Sequence, residues 1–233
     1  MTSSVLVKFP TRSRPDLFFR TLSLWATDPA ARFLISIDED DAACNNNQFL
    51  SAIETVAPGR DILVRVGNSR GKVEAVNDGL NDEPWDSVLI VASDDMVPQR
   101  PDAASCLARL LLERFPDGDG VLHTDDGRTG RTLNTLPVCG RKYFDRFGYV
   151  YAPCYTSVFC DDELQAVSES LGRAAYVDEV IVKHDWIGAT APDDLHRRNE
   201  SFYGKDGRVF EERKAAGFPT VSVVSEPDRS TST

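Results

Sequence analysis

An alternation between two kinds of apolar pattern narrows the fold of this chain most. Val5 to Phe9 is a short β-rich run ended by Pro10. Pro15 to Thr27 then carries Leu17, Phe18, Leu22 and Trp25 at helical spacing, with Pro15 suited to a first turn. "RFLISIDED" reads as a strand through Ile37 that breaks into acids. Asn45 to Val56 is helical, with Phe49, Leu50, Ile53 and Val56 as its stripe. The strand "DILVRVG", the helix "GKVEAVNDGL", the strand "DSVLIVAS", a leucine-rich helix from Ala103 to Phe115 and the strand "GVLHT" continue the order. Strands that read as continuous apolar runs are buried on both faces, so helices must cover a mostly parallel sheet on each side. The expected class is therefore α/β, with right-handed crossovers. In such sheets ligands gather outside the carboxyl ends of the strands. There this chain places Thr11 and Arg12, then Asp38, then Asp94 and Asp95.

The second half reads differently. From Asn134 to Asp162 the sequence turns to aromatics and glycines with no regular period, and no linker rich in Pro, Gly or Ser sets it apart. It is expected to be an elaborated lobe on the same sheet, followed by a helix from Asp162 to Leu171 and a strand near Glu179 to Lys183. One domain then spans residues 1–233, with a first half to residue 98, a second from 99 to 224, and a polar, frayed tail over 225–233.

Charge and cysteine content set bounds on partners. The formal net charge of -11 counts against a broad nucleic-acid footprint, although Arg12, Arg14, Arg20, Arg70 and Lys72 can still form a local basic groove. The five cysteines are odd in number and none are spaced as CxxC, so neither a disulfide framework nor a zinc site is expected. "MTSSVLVKFP" lacks the build of a signal peptide, and no apolar run reaches the roughly 18 residues of a membrane helix. The expectation is a cytoplasmic protein with no membrane partner; its oligomeric state is left open.

Three groups of residues carry chemistry. In "VLIVASDDMVP" two adjacent carboxylates close an apolar strand. The pair fits either a solvated turn or a site for a hard divalent cation, which prefers oxygen donors. In "FCDDELQ" Asp161 and Asp162 open a helix. They are either helix-capping acids favoured by the dipole or a general base in partly apolar surroundings. In "VIVKHDWIG" His184 follows a short strand, as a ligand or as an ordinary hydrogen-bonded histidine. His123 sits on the "GVLHT" strand and can line an acceptor side; His196 has no assignment.

Taken in order, "VKFPTRSRPDL", "SIDEDD", "GKVEAVNDGL" and "VLIVASDDMVP" resemble the GT-A type glycosyltransferases of the nucleotide-diphospho-sugar transferase superfamily, close to the family 2 group. The resemblance covers Val5 to Pro98 well and Gly140 to Arg213 more loosely. It implies the GT-A fold, with a Rossmann-like central sheet and an acceptor lobe, and transfer of a sugar from a nucleotide-sugar donor, a UDP-sugar foremost, to a hydroxyl. By that resemblance Pro10, Thr11 and Arg12 line the nucleotide pocket with Arg14 nearby. Asp38 meets base or ribose, Lys72 meets base or diphosphate, and Asn77 buttresses them. Asp94, with Ser93 beside it, meets ribose or sugar, while Asp95 holds Mn²⁺ or Mg²⁺ with His184 as a further metal ligand. It further implies an inverting reaction with Asp162 as the base and Asp161 as the alternate.

Other folds on this pattern are less well served. No G-x-G-x-x-G follows a strand, the first turn "PTRSRP" lacks glycine, and there is no Walker loop. A haloacid-dehalogenase-like phosphatase needs its aspartate at the end of the first strand, where "FPTRS" stands. The alternatives that stand are a nucleotidyltransferase acting on a sugar phosphate and a non-catalytic nucleotide-sugar-binding domain. The acceptor is open among a glycan, a protein and a modified nucleic-acid base, with the aromatics of Tyr143 to Phe159 available to stack on it.

Overall fold

A computed structural model describes residues 5–186 and 192–220. The expected tail over 225–233 lies outside the described residues. Seven strands form one sheet in the order β3-β2-β1-β4-β7-β6-β8. β1 (Val5–Pro10), β2 (Ala31–Asp38), β3 (Ile62–Gly67) and β4 (Val88–Val91) are mutually parallel, as their unbroken apolar runs require. β7 (Val138–Gly140) runs antiparallel to both β4 and β6 (Val121–Thr124), and β6 is parallel to β8 (Ala174–Val177). A second, two-stranded ribbon joins β5 (Met96–Pro98) to β9 (Val182–His184).

The pleat sorts side chains between two cores. Val5, Val7 and Phe9 of β1, with Phe33, Ile35, Val88 and Ile90, face α1 (Pro15–Trp25), α2 (Asn47–Val56) and α4 (Ala103–Arg114). Leu6, Leu34, Leu89 and Val91 face α3 (Lys72–Asn77), α5 (Arg141–Phe144) and α6 (Cys160–Ser170). Full burial of each such side chain is worth about 1.5–3 kcal/mol. On that second face Lys8 is fully buried, its ammonium donating to Ser36 Oγ and, at 2.6 Å, to the Asp78 carbonyl that follows α3. All five cysteines are free. Among the described residues no helix is long and apolar enough to cross a membrane.

The second half is more regular than its sequence suggests. The segment without period supplies β7 and α5. The expected strand near Glu179 to Lys183 is the shorter β9, and β8 precedes it unannounced. Two further helices, α7 (Asp194–Glu200) and α8 (Tyr203–Ala215), close the described chain. The aromatics expected to meet an acceptor are mostly core: Tyr143, Phe144, Tyr149, Tyr151 and Tyr155 are buried under the α3 side of the sheet. They cover that face beside α3, which runs only six residues, less than the ten-residue segment read as helix.

Candidate active site

The acids of "SDDM" sit at a tight turn. Met96 N donates to Ser93 O at 3.1 Å, so Asp94 and Asp95 occupy the turn's two corners and point apart. Helix α1 fixes this backbone: Thr21 Oγ1 donates to Asp94 O at 2.7 Å and Trp25 Nε1 to Met96 O at 3.0 Å. Asp94 faces Arg14, whose Nη1 lies 3.2 Å from its Oδ1. Asp95 accepts from the Ser93 hydroxyl and has His184 Nε2 3.4 Å from its Oδ2. The β5–β9 register, with Met96 opposite His184, brings these two together.

The environments drive the two pKa values apart. Burial and the neighbouring Asp95 charge push Asp94 up to about 7 despite Arg14. Asp95 is buried too, but its bonds with His184 and Ser93 outweigh that, and it falls to about 2. Asp95 is thus the more acidic of the two carboxyls, which suits a cation ligand.

Behind His184 stands a carboxylate that the sequence did not single out. Asp126 is buried at the end of β6 and accepts from Arg128 N (2.8 Å), Thr129 N (2.6 Å), Thr129 Oγ1 (2.9 Å) and Thr135 Oγ1 (2.7 Å). Burial works against its charge, yet these donors hold it down at about 2.

One cavity of about 250 Å³ opens at this rim, and Pro10, Thr11, Arg12, Arg14, Asp38, Lys72, Ser93, Asp94, Asp95, Asp161 and His184 all line it. Arg12 Nη1 reaches Asp38 Oδ2 at 2.7 Å, and the other Asp38 oxygen accepts from Ser69 N at 3.1 Å. Thr11 Oγ1 is buried there and finds no protein partner among the described residues. Gly71 approaches closely: a Cβ on it would stand 2.4 Å from Thr156 O, so a larger residue would push α3 off the wall.

Two expected site residues are not among the lining side chains, and the first of them acts as the buttress expected of it. Asn77 does not line the cavity. Its amide spans Tyr151 O (2.6 Å) and Val150 N (3.0 Å), and so holds Tyr151, which does line it. Asp162 is half-buried and is not a lining residue, whereas Asp161 is, with Lys72 Nζ 3.6 Å from its Oδ2. Adjacent positions on a helix point about 100° apart, and here Asp161 is the one turned to the cavity. Burial, then the Asp161 charge, raises the Asp162 pKa. Phe159, just before α6, holds a left-handed φ of 63° and is wedged between Tyr203 and Phe210. Asp206 of α8 fixes the preceding turn by accepting from Thr156 N, Ser157 N and Val158 N. His123 is buried against Tyr176, away from the cavity lining.

Helix α7 supplies a roof that the sequence did not announce. Arg14 makes a bidentate pair with Asp193 (2.6 and 2.8 Å), and Asp193 also caps α7 through His196 N at 2.9 Å. Leu195, His196, Arg198 and Asn199 then line the cavity, and Trp186, with Arg128 3.9 Å above its ring, stands beside them. Unassigned by sequence, His196 is a structural partner of Arg14 and Asp193.

Among the described residues no three His, Cys, Asp or Glu side chains gather to enclose a metal. Asp95 and His184 nevertheless fit one. Donor atoms 3.4 Å apart suit two adjacent ligands of an ion with metal–ligand distances of about 2.1 Å, leaving its other positions to outside oxygens.

The sequence matches no protein-family model and no curated protein. Solved structures do resemble it. A mannosyltransferase from Pyrobaculum calidifontis in complex with GDP-Man and Mn²⁺ superposes with a TM-score of 0.65 at 14% identity, covering 95% of this chain and 66% of that one. This chain therefore spans about two thirds of that protein's length. TarS from S. aureus in complex with UDP gives 0.59 at 13% identity, over 93% of this chain and 74% of that one. Glucosyl-3-phosphoglycerate synthase from Mycobacterium tuberculosis in complex with Mn²⁺, UDP-Glc and phosphoglyceric acid gives 0.56 at 14% identity, over 88% and 80%. The chain has the GT-A fold, with the α/β, mostly parallel sheet that its alternating pattern called for.

Proposed function

We propose that this chain is a metal-dependent glycosyltransferase that moves a sugar from a nucleoside-diphosphate sugar, a UDP-sugar foremost, to a hydroxyl acceptor with inversion. The observation that carries the proposal is a single cavity bounded by the Asp95–His184 pair and by Asp161. A cation ligand set and a candidate base thus line one and the same space. The structures of the same fold, solved with GDP-Man and Mn²⁺, with UDP, or with UDP-Glc and Mn²⁺, support the choice of donor.

In this reading Pro10, Thr11 and Asp38 receive the nucleoside, with Asp38 held in place by Arg12 and by Ser69 N–H. Thr11 Oγ1 has an unmet bond to offer it. Lys72 faces the diphosphate, and Asp94 turns toward ribose or sugar while Arg14 anchors it. Asp95 and His184 hold Mn²⁺ or Mg²⁺; an imidazole in the set favours Mn²⁺. When bound, the ion neutralises charge that develops on the departing diphosphate. Asp161 receives the acceptor's hydroxyl proton on its carboxylate, and the roof of α7 excludes water that would otherwise take the sugar. Trp186 offers a flat face to a ring-bearing acceptor: a glycan, a protein-borne group or a modified base.

A panel of sugar nucleotides with Mn²⁺, read by release of the nucleoside diphosphate, tests this. Release from at least one donor, stopped by EDTA and by Asp95→Ala, is expected. Pyrophosphate formed from a nucleoside triphosphate and a sugar phosphate would point to a nucleotidyltransferase instead. No binding of any donor would overturn the proposal.

A further inference from the structure

We infer that Asp126 is a positioning residue for His184, holding its imidazole in the orientation and tautomer that turn Nε2 toward a divalent cation. The inference rests on the reading of Asp95 and His184 as that cation's protein ligands.

Asp126 grips His184 twice. Its backbone carbonyl accepts from His184 N at 2.9 Å, fixing the end of β9 against the end of β6. Its carboxylate then lies beside the ring, with Oδ2 3.5 Å from His184 Nδ1. That nitrogen is buried and makes no hydrogen bond among the described residues. Buried polar atoms without partners are uncommon, and each calls for an explanation. The opposite ring nitrogen supplies one, since it faces Asp95 at 3.4 Å on the cavity side. A histidine that ligates a metal through one nitrogen almost always donates the other N–H to a carboxylate, carbonyl or water, which sets its tautomer. Asp126 Oδ2, 3.5 Å away, is a carboxylate oxygen within reach of that N–H. About half an ångström of closure brings the pair to hydrogen-bond distance.

The carboxylate is itself built to stay put. Thr129 and Thr135 hydroxyls hold Oδ2, and the amides of Arg128 and Thr129 hold Oδ1. Four donors on one buried group fix its direction, and one of them, Thr135 Oγ1, comes from outside its own turn. Thr135, at the cavity wall on the β6–β7 connection, bonds Asp126, whose carboxylate lies beside His184, which in turn faces Asp95.

The test is a double-mutant cycle on Mn²⁺ affinity, read by water-proton relaxation of Mn²⁺ added alone to the full chain. Asp126→Asn keeps an acceptor for the turn amides and lowers affinity about 10- to 100-fold. His184→Ala lowers it at least as far. In the His184→Ala background Asp126→Asn has no further effect, because a residue that acts through the ring has nothing left to act on. Equal losses in both backgrounds would overturn the inference and make Asp126 a holder of its own turn only. Unchanged affinity in Asp126→Asn, with His184→Ala weakened, would overturn it while sparing the metal site. An inert His184→Ala would overturn the ligand reading and this inference with it. Should Asp126→Asn not fold, Thr135→Val loosens the same carboxylate and is read through the same cycle.

Discussion

Asp95 and His184 meet, Oδ2 to Nε2 at 3.4 Å, through a ribbon of two three-residue strands. Asp185 N bonds to Asp95 O at 2.7 Å and extends the pairing by one step. This small ribbon joins the acidic turn of the first half to the second half of the chain. A site assembled this way is set by register: a one-residue slip would turn His184 to the other face and leave Asp95 alone.

The two acids that open α6 separate by function. Asp161→Asn should reduce sugar transfer by at least 100-fold with donor affinity within a few-fold of the parent, as expected for loss of a proton acceptor. Asp162→Asn should leave turnover within a few-fold, since Asp162 does not line the cavity. Steady-state rates with calorimetric donor affinities check this; the reverse ranking would move the base to Asp162.

Arg14 is shared by Asp94 and Asp193 and has a side chain only 9% exposed. Arg14→Ala strands one buried carboxylate and one half-exposed partner, and should cost about 2–3 kcal/mol in denaturant unfolding. Arg14→Lys should recover little, because an ammonium cannot reproduce the fork that grips Asp193 while reaching Asp94. Full recovery by lysine would show that charge alone suffices.

Asp206 carries the turn in front of the proposed base. Asp206→Ala leaves the buried amides of Thr156, Ser157 and Val158 without their acceptor. A stability loss of about 3 kcal/mol is expected, with a fall in turnover larger than any change in donor affinity. Asp206→Asn should restore part of both. Equal turnover in all three proteins would separate this turn from catalysis.

Lys8 gives the fold a pH signature. Burial, only partly countered by Asp78, lowers its pKa from 10.5 to about 7. Between those values the unfolded chain binds the extra proton, so stability rises with pH from about 7 toward 10.5. Below about 7 the folded protein carries a buried ammonium at full cost. Relative to Lys8→Met, which has no such titration, the wild-type protein should gain a few kcal/mol across that interval. Paired unfolding curves at stepped pH measure it. A difference that does not change with pH would contradict the lowered pKa.

Four parallel strands and their acidic rim were legible because buried parallel strands leave long apolar runs, and polar residues at their ends stand out. Thr11, Asp38, Asp94 and Asp95 were found this way, and all line the cavity. The roof was not legible. Asp193 matters through an ion pair with Arg14, and His196 through a hydrogen bond with it, that only the folded chain creates. Asp126 stands in "HTDDG" with no signal of its own, since the histidine it faces lies on a distant strand. Asp161 and Asp162 differ by one position, and the choice between them depends on how α6 is rotated against the sheet. The Tyr143–Phe159 aromatics misled for a related reason: composition does not say which face of the sheet is short of cover.

Calorimetric titration of UDP and GDP into the wild-type chain and into Asp95→Ala, each with and without Mn²⁺, addresses the central claim most directly. At least one nucleotide is expected to bind the wild-type chain at least tenfold more tightly with Mn²⁺ than without, and Asp95→Ala to abolish the difference while remaining folded. Nucleotide affinity indifferent to Mn²⁺ in the wild-type chain, or an Mn²⁺ effect that survives Asp95→Ala, would contradict it.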